Sequence, residues 1–248
     1  VLRKYDYSEH SQILRLFTRG EGMLSVLAKG VKKEKSSFGG ALDVFYLGRA
    51  AVLRRSRASL EILGSFRVET AFPGLREVLP RFLAACHLAE ILSGMVREAE
   101  PHTALFDDTV AGLRALEGAP ADRVAPLLVA LELGTLKELG FAPSLTRCAH
   151  CDAGTDAAAA TLSVRLGGVL CPACGAEDPG ASRPAGGTLA ALRTLERSDP
   201  PRALRVLLSP AARREIRAFL DAFEEWRMER PLRTARFLRE PGRGRSDS

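Results

Sequence analysis

The chain has 248 residues, 46% of them hydrophobic and 27% charged, the make-up of a folded protein with material for one large or two to three small domains. No run of about 18 apolar residues occurs, which excludes a helical membrane span, and Val1-Leu2-Arg3-Lys4 is not followed by the apolar stretch of a secretory signal. Net charge is +6, and all of the excess lies early: residues 1–70 hold 13 Lys and Arg against 7 Asp and Glu, while residues 71–248 hold 23 of each. A polyanion would therefore land on the amino-terminal segment.

That segment has the texture of β-structure. Val1–Tyr5 reads as a first strand, expected to be truncated because no initiator Met precedes it. Ser11–Thr18 alternates well enough for a half-buried strand, and Arg19-Gly-Glu-Gly22 marks a hairpin turn into Met23–Ala28. Residues 29–40 form a loop by their glycines and serines. Two further strand-like runs, Val44–Leu53 and Leu60–Leu63, bring the total to about five short strands in some seventy residues. That is the size of an OB-like barrel, a fold whose faces and loops commonly hold nucleic acid; pattern alone does not separate it from an SH3-like barrel.

From Pro73 the period becomes helical. Leu75, Val78, Leu79, Phe82, Leu83, Cys86, Ala89, Ile91, Leu92, Met95 and Val96 recur at mostly three- and four-residue intervals, with Pro80 restarting the helix and Cys86 reading as a small core residue. Further helices are expected over 103–117 and 122–139, the latter closed by Gly140, and over 188–197. The last begins at Ser209-Pro210, an N-cap followed by proline, with Ile216, Phe219, Leu220, Phe223 and Trp226 as its apolar stripe. Residues 241–248 are polar and Gly-rich and are expected to be disordered.

The most specific feature is a pair of knuckles, Cys148-Ala-His-Cys151 and Cys171-Pro-Ala-Cys174, separated by 19 residues. This is the spacing of a tetrahedral four-sulfur metal site. Four thiolates leave no position for water or substrate, so the metal is expected to be structural, with zinc and a rubredoxin-type iron both compatible. His150 reads as a loop residue, and a zinc deaminase is excluded because Pro172 lies inside the pair and His87-Leu-Ala-Glu90 has the wrong spacing. Metal-spaced cysteines with one left over point to a reducing cytoplasm.

Outside the cysteines, the sharp feature is basic. Lys29, Lys32, Lys33 and Lys35 share one loop, and Arg54, Arg55 and Arg57 close a later strand. The expectation is phosphate contact, largely independent of base sequence, with Tyr5, Tyr7, Phe38 and Tyr46 as possible stacking faces. No phosphate loop, nucleophile elbow or H-E-x-x-H appears. The adjacent acids Asp107-Asp108 and Glu224-Glu225 diverge on a helix, so an enzyme is not expected. The alternative is a protein-interaction scaffold that never meets DNA.

Four blocks in order carry a resemblance: Val1–Glu9 leading to Leu16–Gly22 and Ala28–Lys33; Leu131–Pro143 running into Leu145–Cys151; Gly168–Cys174; and Arg230–Leu238. Together they resemble the bacterial recombination mediators of the RecO family, with Thr234 where a Ser is common. The resemblance implies a multidomain α+β chain. Its parts would be an OB-fold barrel over residues 1–70, a helical domain over 71–144 and 187–240, an inserted four-cysteine zinc module over 145–186, and a tail. It also implies binding to single- and double-stranded DNA, with Lys29-Gly30 and the following loop on the DNA side, and annealing of complementary strands. The implied partners are RecR, in some bacteria RecF, single-strand binding protein (SSB) and, indirectly, RecA, in the bacterial cytoplasm at the nucleoid.

Overall fold

A computed structural model describes residues 1–33, 36, 38, 42–54 and 60–239. The tail at 241–248, and Lys35, Arg55 and Arg57 among the basic residues, lie outside them. The amino-terminal strands are β1 (Arg3–Asp6), β2 (Gln12–Thr18), β3 (Gly22–Ala28), β4 (Leu47–Leu53) and β5 (Glu61–Thr70). They form one sheet in the order β1-β2-β3-β5-β4, antiparallel except for the parallel β3/β5 pair. This order, with its one parallel pair, is that of the OB-fold's five-stranded Greek-key barrel rather than of an SH3-like meander. The barrel interior is filled by Leu14, Leu16, Val26, Ala28, Val31, Phe38, Leu42, Leu63 and Phe66.

Two strand boundaries differ from the sequence expectation. β4 starts at Leu47, because Phe45 adopts a positive φ of 64° and turns the chain inward. β5 runs on to Thr70, because it pairs with β4 along its length through two register shifts, a long-range contact that periodicity does not reveal.

The barrel rests on helices α1 (Gly74–Glu77), α2 (Leu79–Met95), α3 (Thr103–Gly118) and α4 (Val124–Glu138). Leu2, Phe17, Met23, Phe45 and Phe72 join the same buried cluster as the helical core, with Phe17 edge-on to Phe106 and Phe45 edge-on to Phe82. Gly22 sets how closely the barrel docks. Its φ is +65°, and a Cβ there would overlap the Glu100 carbonyl oxygen, so only glycine fits both the conformation and the space.

Helix α4 is apolar nearly all round and packs against its neighbours on every side, as a central helix must. It ends in a Schellman motif: Gly140, at φ +75°, donates to the Lys137 carbonyl, and the Phe141 amide donates to the Leu136 carbonyl. The chain continues through β6 (Thr161–Ser163), β7 (Gly168–Leu170) and α5 (Pro172–Ala176), then α6 (Thr188–Glu196), α7 (Pro200–Ala203), α8 (Pro210–Met228) and α9 (Ala235–Arg239). Ser209 caps α8 by accepting from the Ala212 amide at 3.1 Å, with Pro210 in the first turn. Trp226 does not continue the α8 stripe. Ile216, Phe219, Leu220 and Phe223 are buried but Trp226 is 58% exposed, and the Arg227 guanidinium lies over the stripe's end, 5.0 Å from the Phe223 ring.

Candidate metal centre and basic surfaces

The four knuckle sulfurs converge. One ligand atom from each of Cys148, Cys151, Cys171 and Cys174 lies within 4.8 Å of all the others, and the Cys151 and Cys171 sulfurs are 3.8 Å apart. Sulfurs about 2.3 Å from a common metal at tetrahedral angles stand about 3.8 Å from each other, so the donor set fits a closed four-thiolate site.

Local backbone builds each knuckle. The Asp152 amide donates to the Cys148 carbonyl, and Asp152 takes a left-handed φ of 59° while its carboxylate pairs with Arg147 at 2.7 Å. In the second knuckle Cys171 caps α5, and the Gly175 amide donates to its carbonyl at 2.8 Å. Gly175 is required by proximity: a Cβ would overlap the Thr161 hydroxyl. Burial alone would raise the Cys148 thiol, but N–H groups of Cys151, Cys171 and His150 aimed at its sulfur hold its pKa at about 6.

The β6/β7 hairpin joins the knuckles to the rest of the molecule. The Ala149 amide donates to the Val169 carbonyl, Val169 donates to Ser144, and Leu145, Leu162 and Val169 are buried in the helical core.

The basic residues do not form one patch. Lys29, Lys32 and Lys33 are exposed just beyond β3, where Lys32 pairs with Asp6 at 2.7 Å and holds that carboxyl below its ordinary range. Arg54 instead pairs with Glu21 in the β2–β3 turn. In the β2/β3 register, Gln12 faces Ala28 at one end and Thr18 faces Gly22 at the other, roughly 20 Å apart at 3.4 Å per residue. Arg54 therefore sits at the opposite end of this ribbon from the lysines. Of the stacking candidates, Tyr5 and Tyr7 are exposed, Phe38 is buried in the barrel core, and Tyr46 is half-buried against it.

Comparison with known proteins agrees with this architecture. Residues 1–72 match the family model "Recombination protein O N terminal" and residues 76–236 match "Recombination protein O C terminal". The chain belongs to the RecO family. It is 39% identical to the DNA repair protein RecO of Anaeromyxobacter dehalogenans strain 2CP-C over 98% of this chain and 94% of that one. It is 34% identical to that of Symbiobacterium thermophilum over 96% and 94%, and 33% identical to that of Salinibacter ruber over 92% and 86%. RecO membership gives the chain a role in DNA repair and recombination.

Two of the blocks that carry the RecO resemblance, Leu131–Pro143 and Arg230–Leu238, feed a buried polar network that sequence reasoning missed. His87 of α2 is fully buried, with Nε2 at 2.9 Å from Glu132 of α4 and 3.4 Å from Glu224 of α8. Arg217 reaches Glu132 at 2.7 Å, Asp221 at 2.6 Å and Glu224 at 3.6 Å, and Arg239 closes on Asp221 at 2.6 Å. Several of these contacts meet at ion-pair distance but outside hydrogen-bonding angles. On the other side of His87, Nδ1 lies 2.6 Å from the Thr234 hydroxyl, which donates its own proton to Glu90 at 2.7 Å.

With its own proton given to Glu90, the Thr234 hydroxyl is placed to accept from Nδ1, and Nε2 faces two carboxylates, an arrangement that favours the charged imidazolium. Burial opposes that charge, but Glu132 and Glu224 outweigh it and raise the pKa to about 9. Desolvation, with Glu132 close by, raises Glu224 to about 7. His87, Glu132 and Glu224 also have the composition of a metal triad, but Arg217 already supplies the cation. The signal was present in the sequence as lone charged residues inside apolar helices: His87 and Glu90 in one run, Glu132 in another. Glu224 and Glu225 do diverge: Glu224 turns inward while Glu225 accepts the Leu232 amide at 2.9 Å.

Proposed function

We propose that this chain is a non-enzymatic DNA-binding recombination mediator. It binds single- and double-stranded DNA, anneals complementary strands and, with RecR and in some bacteria RecF, helps RecA load onto strands covered by SSB, in the cytoplasm at the nucleoid. The reading is carried by the RecO match along both halves of the chain. It is supported by an OB-type barrel that holds the whole charge excess.

In this reading residues 1–70 bind DNA, the helices of 71–144 and 187–240 form one supporting unit, and 145–186 form a module around structural zinc. Zinc is preferred to iron on the family resemblance. Phosphates neutralised by Lys29, Lys32 and Lys33 at one end of the β2/β3 ribbon, and by Arg54 at the other, reduce the repulsion between two strands. Lys35, Arg55 and Arg57 continue the two runs in sequence. Lys32 and Arg54 must exchange a carboxylate for a phosphate to take part, whereas Lys29 and Lys33 make no ion pair among the described residues.

The salt dependence of binding tests this assignment. Lys29→Ala/Lys33→Ala should reduce the slope of log affinity against log salt by about 1.4 on single strands and about 1.8 on duplex. An unchanged slope would remove the loop from the DNA site. Equally strong binding of an oligonucleotide and an equally charged acidic peptide would favour the scaffold alternative.

A further inference from the structure

The charge balance of residues 71–248 conceals a local concentration. Between positions 227 and 239 stand Arg227, Arg230, Arg233, Arg236 and Arg239 against the single acid Glu229, and all five arginines are exposed. Arg239 pairs with Asp221, and Arg227 is stacked between Phe223 and Phe141. Arg230, Arg233 and Arg236 make no ion pair among the described residues. Exposed arginines elsewhere divide: Arg19, Arg49, Arg54 and Arg147 have carboxylate partners, while Arg67, Arg97, Arg114 and Arg214 make no ion pair among the described residues; what sets 227–239 apart is the density of its arginines. Beside the unpaired arginines lies Phe237, 46% exposed, with the Arg236 guanidinium 4.6 Å from its ring centroid.

The segment also meets the barrel. Glu90 Oε1 accepts the Arg233 amide at 3.2 Å and lies 3.4 Å from the Arg3 guanidinium of β1. Strand alternation places Arg3 and Tyr5 on one face of β1, and Tyr7 follows just beyond it. Lys4 and Asp6 take the other face, where they pair with Asp43 and Lys32. Tyr5 and Tyr7 are 49% and 59% exposed.

We infer that a single strand of DNA runs from Tyr5 and Tyr7 on the β1 edge, past Arg3, to Arg233, Arg236 and Phe237. This path is distinct from the Lys29–Lys33 loop and rests on the DNA-binding reading above. Guanidinium groups take the phosphates, and aromatic faces stack on bases without reading their identity. A duplex hides its base faces from such side chains, so the tyrosines select the unpaired strand.

The test is binding of a labelled thymidine oligonucleotide, long enough to span both segments, to the full chain over a range of salt. Arg233→Gln/Arg236→Gln should keep the wild-type melting temperature, since the Arg233 amide that holds Glu90 is untouched, and should reduce the salt slope by about 1.4. Arg233→Lys/Arg236→Lys should restore the slope. Tyr5→Ser/Tyr7→Ser should weaken the oligonucleotide at least about tenfold and leave duplex binding unchanged. Wild-type slope and affinity in both the arginine-to-glutamine and the tyrosine variants would overturn this path while leaving the proposed function intact. Failure of the wild-type protein to bind any DNA would overturn both.

Discussion

Cys171→Ser is expected to lose the metal and to lower the melting temperature sharply, and chelation of the wild-type protein should do the same. A structural metal contributes its binding energy to folding, about 10–16 kcal/mol for zinc in small isolated modules. Here the damage should be smaller and local. Leu145, Leu162 and Val169 remain anchored in the helical core, whereas the knuckles are held by short backbone turns, the Ala149–Val169 hydrogen bond and the exposed Arg147–Asp152 pair. Limited proteolysis should therefore cut first within residues 145–186, with α4 and α8 still protected. Metal stoichiometry and thermal melting on the same samples check this. A metal-free wild-type protein melting at the same temperature as the metal-loaded one would refute a structural metal.

The second large effect is expected at Arg217. Arg217→Met leaves Glu132, Asp221 and Glu224 buried with less countercharge than they need. Removing one partner from a buried ionic group costs about 3–5 kcal/mol, readable as a shift in the urea midpoint.

The same network makes stability depend on pH. His87 has a folded pKa raised from 6.5 to about 9. Its contribution is fully present below about pH 6.5 and is lost as pH rises through 9, roughly 3 kcal/mol in all. Glu224 is raised from 4.5 to about 7; the folded state then binds the extra proton between those values, and stability also falls with rising pH there. Stability should thus decline from mildly acidic to mildly basic pH, and His87→Asn should flatten the upper part of that decline. Identical pH profiles for the two proteins would show that His87 carries no proton of consequence.

Much of the fold was legible because it is locally encoded. The cysteine spacing by itself picks out the four thiols that the fold brings together, Ser209-Pro210 opens α8, Gly140 closes α4, and the glycines of residues 19–22 turn β2 into β3. What was not legible depends on distant contacts. The length of β5 is set by its pairing with β4, and the α8 stripe ends at Phe223, under the Arg227 guanidinium, rather than at Trp226. The β6/β7 hairpin and α9 are too short for periodicity to register. Charge averaging marked the barrel correctly as the basic segment but hid the arginines at 227–239, and it grouped Arg54 with lysines at the far end of the β2/β3 ribbon. The buried network was visible only as His87, Glu90 and Glu132 standing alone in apolar helices. Nothing in one-dimensional pattern tells such a residue's partner.

The most direct measurement is the annealing of complementary single strands, each precoated with SSB, by the wild-type chain and by Lys29→Ala/Lys32→Ala/Lys33→Ala. If the chain is a mediator that brings strands together through its barrel, the wild type accelerates annealing and the variant loses most of that acceleration at an unchanged melting temperature. No acceleration by the wild-type chain would contradict the proposed function itself.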